Sequence, residues 1–261
     1  MKNTERHGTQ TLERAVLVLK ELTSRGTIGW RLSDLASSCQ LDRGTTHRIV
    51  ACFIRERLAR QRKSDRRYVP GPLVFELGLS LPQLSAFQLR CAAPVARVAK
   101  HLNGESLLYF RSGAEFICVA RAGVTQLKAL TIEVGTRRPL IVSAGGLAML
   151  VALSKDEARA IVDDNLKRVR RFGETRIRSL KRVIRQSQKC GYGVSKGDIV
   201  PGVSAFGVPI RDSNGDPFAS ISVVGVTESF PGSRIPEVIE TLEREARVIE
   251  LEAYGLIDRG K

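Results

Sequence analysis

The chain has 261 residues, 43% of them hydrophobic and 26% charged, an ordinary balance for a folded protein with room for two modest domains. No run of 18 apolar residues is present to span a bilayer, and the polar stretch Met1–Gln10 lacks the apolar region of a secretory signal, so a cytoplasmic protein is expected. The net charge of +15 points to a polyanionic partner, of which nucleic acid is the commonest.

The five cysteines, Cys39, Cys52, Cys91, Cys118 and Cys190, form no C-x-x-C pair, and the three histidines, His7, His47 and His101, are scattered. Neither a disulfide framework nor a metal site is expected. The chain carries no G-x-S-x-G elbow, H-E-x-x-H helix or P-loop, so neither catalysis nor a bound cofactor is predicted.

Residues 1–10 read as a loose tail. Leu12, Ala15, Val16, Leu19 and Leu22 then recur with helical spacing, with Thr11 as N-cap and Gly26 and Gly29 as stops. Ile28–Leu32 reads as a short strand. Ser33 is the next N-cap candidate, followed by a brief helix with Leu35, Ala36 and Cys39 inward and an end near Gln40. Asp42 opens a longer helix to about Arg57. Two such helices about a short turn make a helix-turn-helix. Leu58–Arg62 and Arg67–Val69 read as two strands joined by Lys63–Arg66, a wing.

Pro70–Pro72 breaks the chain, a short apolar helix follows with Leu73, Val74 and Leu77, and residues 78–93 read as a linker in which Pro82 interrupts any helix. From Pro94, a helix face of Val95, Val98, Ala99 and Leu102 ends at Asn103-Gly104. Ser106–Arg111 and Glu115–Arg121 alternate about Ser112-Gly113 as a hairpin. Leu127–Ile132 reads as a strand. Ala144–Leu153, Lys155–Leu166 and Thr175–Lys189 read as helices. Val203–Ile210 and Phe218–Gly225 flank an Asn214-Gly215 turn as a second hairpin, and a helix from Ile235 to Tyr254 closes the chain. The fold class expected is α+β: an N-terminal winged helix-turn-helix over residues 11–77 and a domain built on an antiparallel sheet over residues 94–261.

On the helix from Asp42, Thr46, Ile49, Val50 and Phe53 share one side, while Gly44, His47, Arg48, Ala51 and Arg55 share the other, with Arg43 and Thr45 at the exposed N-terminal end. A DNA-reading helix needs this division into an apolar back and an N-terminal turn able to reach base edges. Arginine suits guanine O6 and N7, and glycine or threonine permits close approach. Residues 43–67 hold nine basic side chains against two acidic ones. The candidate DNA contacts are Arg43, Gly44, Thr45, His47 and Arg48 on the helix, and Arg60, Arg62, Lys63, Arg66 and Arg67 on the wing, the latter read as phosphate or minor-groove contacts. His47 is open to two readings, a phosphate contact or a hydrogen bond inside the module. A second basic run, Lys167–Lys189, has ten cations against Glu174 alone. It reads as an amphipathic helix with Ile177, Leu180, Val183 and Ile184 inward and a solvated basic face, in preference to a second DNA contact.

These residues resemble the isocitrate lyase regulator (IclR) family of transcriptional regulators. The resemblance is carried by Leu12-Glu13-Arg14-Ala15, Leu32-Ser33-Asp34-Leu35-Ala36, Thr45-Thr46-His47-Arg48-Ile49 and Tyr68-Val69-Pro70-Gly71-Pro72. It continues through Gly104-Glu105, Arg138-Pro139-Leu140, Gly191-Tyr192-Gly193-Val194, Pro201-Gly202-Val203 and Val208-Pro209-Ile210. It implies a linker helix, a GAF-like effector-binding and oligomerisation domain, homodimers or dimers of dimers on palindromic double-stranded operators, and a small carboxylic or aromatic acid as effector. A regulator of this kind is cytoplasmic and sits at the nucleoid when bound to its operator.

The chain departs from the family where the effector would bind. The family segment Pro-Leu-His-Ala-Thr-Ala-x-Gly-Lys-Ala is here Pro139–Ala148, with Ile141 for His, Leu147 for Lys and Gly145 at the variable position. The pocket carried over by the resemblance is Ser143, Ala144, Gly145, Gly146, Ser195, Ala205, Ser222 and Val224. In it Ala205 replaces a cysteine, Val224 a second serine and Ser195 an acidic residue. Gly145-Gly146 opens a helix, where backbone N–H groups hold a carboxylate or glycine supplies the backbone freedom of a tight loop. The less polar pocket leaves a second expectation beside effector control: a degenerate sensor governed by a protein partner or by expression level.

Overall fold

The computed structural model describes residues 9–123 and 132–253. The strand expected at Leu127–Ile132 falls almost wholly outside the described residues. The chain divides into two compact units, one comprising residues up to Pro82 together with Gly135–Arg137, the other the remainder.

In the first unit, α1 (Gln10–Thr23) begins one residue before Thr11, at an N-cap Thr9 whose side chain caps no backbone N–H. The helix turns Val18 and Leu22 fully inward, while Leu12 and Val16, expected on the buried face, are exposed. The apolar residues nearly encircle this helix, and packing against Trp30 and Leu35 selects the stripe through Val18. The strand expected at Ile28–Leu32 is instead a 3-10 turn, Gly26–Ile28, and a single bridge in which Trp30 and Tyr68 exchange backbone hydrogen bonds of 2.8 and 2.9 Å. Helix α2 (Leu32–Ser38) is capped at Arg31, so Ser33 lies inside its first turn. Helix α3 (Arg43–Arg55) is capped by Asp42. Strands β1 (Ala59–Gln61) and β2 (Tyr68–Pro70) pair antiparallel in the register Ala59 to Pro70 and Gln61 to Tyr68. The core joins Val18, Leu22, Trp30, Leu35, Val50, Phe53 and Tyr68, and the Arg25 guanidinium lies 3.6 Å from the Trp30 ring centre. Helix α4 (Pro72–Gly78) has proline at its start and buries none of its residues.

The second unit is entered by α5, which runs unbroken from Pro82 to Leu102. Pro82 opens this helix rather than interrupting it, because the first helical position needs no N–H donor. Pro94 sits inside it and is buried. Strands β3 (Glu105–Ser112), β4 (Glu115–Ala122), β5 (Arg137–Pro139), β6 (Gly193–Lys196), β7 (Val203–Arg211) and β8 (Pro217–Val226) form one six-stranded sheet in the order β5-β4-β3-β8-β7-β6. Strand β6 escaped the sequence pattern because four residues beginning at a glycine show too little alternation. One face, through Leu108, Phe206, Val208, Ile221 and Val223, packs on Phe87, Val95 and Val98 of α5 and on Val238, Leu242 and Ile249 of α9 (Ile235–Ala253). The other face, through Leu107, Tyr109, Phe116, Cys118 and Val224, meets α6 (Ala144–Ala152), α7 (Lys155–Val169) and α8 (Glu174–Cys190). Both faces bury apolar side chains, as a sheet between two helical layers must.

Candidate functional site

The candidate DNA-reading surface is built from the cap of α3. The Asp42 carboxylate accepts the Thr45 backbone N–H at 2.7 Å, and Thr45, through its side chain first and its backbone N–H second, holds the Asp42 carboxyl below the usual carboxylate range. Thr46 turns inward, fully buried, its hydroxyl donating to the Asp42 carbonyl at 2.9 Å. With Val50 and Phe53 also buried, Arg43, Gly44, His47, Arg48, Ala51 and Arg55 are left exposed on the opposite side, as expected from the helical spacing. Arg48 Nη2 donates to the Thr45 hydroxyl at 3.2 Å, which aligns these two candidate readers along one edge.

The wing is less uniform than its charge suggests. Arg60, Lys63 and Arg66 are exposed. Arg62, however, grips Asp65 with two hydrogen bonds of 2.8 and 2.6 Å and donates to the Ile28 carbonyl at 3.1 Å. Arg67 donates to the Gly29 carbonyl at 3.3 Å and lies 3.5 Å from Asp65. The Arg62 contact draws the Asp65 pKa down to about 2. Two of the five basic wing residues thus shape the hairpin from within.

The sensor-side residues come together on the sheet face that meets α6. Ser195, Ala205 and Val224 stand in register across β6, β7 and β8, and Glu105 of β3 continues the row. Ser222 lies one step along β8, beside Leu107, whose carbonyl accepts its hydroxyl at 3.4 Å. Ser143 caps α6, its hydroxyl accepting the Gly146 N–H at 3.0 Å. The glycines that open α6 answer to space rather than to an unusual backbone angle, since both are helical. A β-carbon at Gly146 would run into the Leu140 carbonyl, and one at Gly193 of β6 into the Ala144 carbonyl. Asn165 of α7, fully buried, fixes the approach to α6: its amide donates to the Ala114 carbonyl at 3.0 Å and its oxygen accepts the Ile141 N–H at 3.4 Å.

Three residues of this face were not singled out from the sequence. Glu105 is buried and paired through one oxygen with Arg121 at 2.5 Å, while its other oxygen has no partner among the described residues. Burial raises its pKa, and Arg121 opposes that rise. Tyr109 is buried against Phe116, and burial lifts its phenol pKa well above the ordinary value. The Ser220 hydroxyl, also buried, has no partner among the described residues. The period-two alternation of β3 and β8 puts Glu105 and Tyr109 on one face with Leu107, and Ser220 on one face with Ser222.

The second basic run is divided between the end of α7, a 3-10 turn and α8. Ile177, Leu180, Val183 and Ile184 are inward as expected. The fold supplies acidic partners that the local sequence lacks: Arg168 meets Glu115 at 2.7 Å, and Arg182 pairs with Asp198. Among the described residues, no helix is long and apolar enough to cross a membrane and no His, Cys, Asp or Glu cluster could hold a metal ion.

Residues 11–63 match the IclR helix-turn-helix domain, and residues 88–251 match the bacterial transcriptional regulator IclR C-terminal domain. The transcriptional repressor IclR of Escherichia coli strain K12 is 25% identical over 253 residues, covering 94% of this chain and 90% of the repressor. The crystal structure of an IclR family regulator from Brucella abortus superposes with a TM-score of 0.71 at 19% identity, over 95% of this chain and 94% of that one. An IclR homolog from Microbacterium hydrocarbonoxydans complexed with 4-hydroxybenzoate superposes with a TM-score of 0.63 at 23% identity, over 93% and 98% of the two chains. The chain belongs to the IclR family of bacterial transcriptional regulators, which are DNA-binding proteins rather than enzymes.

Proposed function

We propose that residues 11–77 bind a palindromic operator through α3 and its wing, and that residues 94–261 form a GAF-like effector and oligomerisation domain joined to them through residues 78–93. The observation that carries the reading is the division of α3. A capped N-terminal turn presents Arg43, Gly44, Thr45 and Arg48 on the side opposite buried Thr46, Val50 and Phe53. Arg60, Lys63 and Arg66 add phosphate contacts, and His47 a further one. Repression is the proposed direction of control, as the E. coli relative is named a repressor. The action is cytoplasmic.

A homodimer or dimer of dimers suits the exposed apolar side chains of the first unit, among them Leu12 and Val16 of α1 and Phe75 of α4. A second copy would cover them and supply the second reading helix, about one turn of DNA away. The effector proposed is a small organic acid on the face that holds Ser143, Ala144, Gly145, Gly146, Ser195, Ala205, Ser222 and Val224. The co-crystallised 4-hydroxybenzoate of the Microbacterium homolog supports an acid as the ligand class. The buried apolar groups at Ile141, Leu147 and Val224 favour the second reading, a sensor without a metabolite.

A mobility-shift assay on the DNA upstream of its own gene tests the first part. Arg43→Glu with Arg48→Glu abolishes a specific shift, and an unchanged shift refutes the reading helix. A thermal-shift screen of carboxylic acids tests the second part. A stabilising acid whose effect disappears in Ser222→Ala supports the sensor, and silence across the screen favours control by a partner or by expression.

A further inference from the structure

Tyr109 stands on β3 directly opposite Ser220 of β8. Its ring is buried, 4.3 Å centre to centre from Phe116 and tilted by 49°. One edge of the ring lies where a side chain at position 145 would begin. A β-carbon at Gly145 would fall 2.6 Å from Tyr109 Cε2, closer still to Cδ2, and 2.9 Å from Ser220 Oγ. Ser222 stands one step further along β8 on the same face, opposite Leu107. The ring therefore occupies the space between the first turn of α6 and Ser222, two of the elements on which a ligand of this face would be held. Protein interiors are packed nearly as densely as organic crystals, so a second ring does not fit beside the first.

Any side chain at position 145 would run into the ring of Tyr109, so the ring and the glycine go together. We propose that Tyr109 is a specificity-determining residue of the sensor site, its phenol filling the part that the ring of an aromatic acid would take, so that the site admits only small aliphatic carboxylates. This inference rests on the sensor reading given above. Removing the ring leaves a pocket walled by Leu107, Phe116 and Cys118, with the hydroxyls of Ser220 and Ser222 at its rim. Apolar cavities of ring size take up aromatic guests.

The test is a thermal-shift titration of the full-length chain with benzoate and with pyruvate, on wild type, Tyr109→Phe, Tyr109→Ala and Tyr109→Leu. Operator binding shows which variants are folded. Wild type and Tyr109→Phe, which keeps the ring, give no shift with benzoate. Tyr109→Ala binds benzoate at least tenfold more tightly than wild type. If the alanine variant does not fold, the leucine variant, which conserves more apolar volume, is read in its place. Wild type that takes up benzoate as well as the variants do overturns the proposal, as do folded Tyr109→Ala and Tyr109→Leu that take up none. A pyruvate shift in wild type alongside such a failure leaves the sensor reading standing and removes only the role of Tyr109.

Discussion

The carboxylate of Asp42 accepts the backbone N–H of Thr45 at 2.7 Å, and this one bond closes the helical turn from which Arg43, Gly44 and Arg48 project. Asp42→Ala frees an N–H that the helix cannot satisfy internally. The expected result is a melting temperature lower by a few degrees and a weaker operator shift, measured on the same preparation. Because the folded-state pKa of Asp42 is depressed by Thr45, its contribution is present above the unfolded carboxylate value of about 3.9. It is lost as pH falls through the depressed value. An acid titration of stability in Asp42→Asn is correspondingly flatter than in wild type.

The wing divides into cations that face solvent and cations that hold the hairpin. Lys63→Ala and Arg66→Ala each reduce the slope of log affinity against log salt by about 0.9, as expected for the loss of one phosphate contact. Asp65→Ala acts differently. It releases Arg62 and Arg67 from their shared carboxylate, so affinity changes through the shape of the wing. Equal salt slopes in wild type and Lys63→Ala refute the phosphate role of Lys63.

Asn165 is the support of the segment leading into α6. Asn165→Ala leaves the buried Ile141 N–H without its partner, while the Ala114 carbonyl keeps only the Leu140 N–H at 3.2 Å. The expected loss is about 2–3 kcal/mol in chemical denaturation. Hydrogen exchange at Ile141 rises with it. An unchanged denaturation midpoint refutes the structural role assigned to Asn165.

Gly193→Ala forces a methyl group into the Ala144 carbonyl. The obstacle is backbone on both sides, so no rotamer relieves it. The expected destabilisation is about 1–3 kcal/mol. Gly113→Ala is the comparison, since a β-carbon there meets open space and only the positive φ of 62° opposes it.

The DNA-reading half was legible because its signals are local. Asp42 at the cap and Thr46, Val50 and Phe53 at helical spacing lie within one stretch of sequence, and the structure agrees with them residue by residue. Where the deciding partner is remote or the local pattern is ambiguous, the sequence alone does not decide. In α1, apolar side chains at Leu12, Val16, Leu17 and Val18 offer several faces, and only packing on Trp30 and Leu35 selects Val18. Pro94 looked like a boundary, yet it lies inside α5, held by the packing of Phe87, Cys91 and Val98 on the sheet. In the wing, charge was visible but its engagement with Asp65 was not. On the sensor face, the pairing of Tyr109 with Gly145 joins a strand to a helix far along the chain, and nothing near either residue announces the other.

That pairing sets the order in which the two positions can be exchanged one at a time. With any side chain at 145, a tyrosine at 109 meets a steric block, whereas glycine at 145 beside a smaller residue at 109 leaves only a void. A mutational route to the present pair is therefore passable in one order, glycine first and the ring second. The way back runs through the same intermediate, since no side chain returns to 145 until the ring has gone.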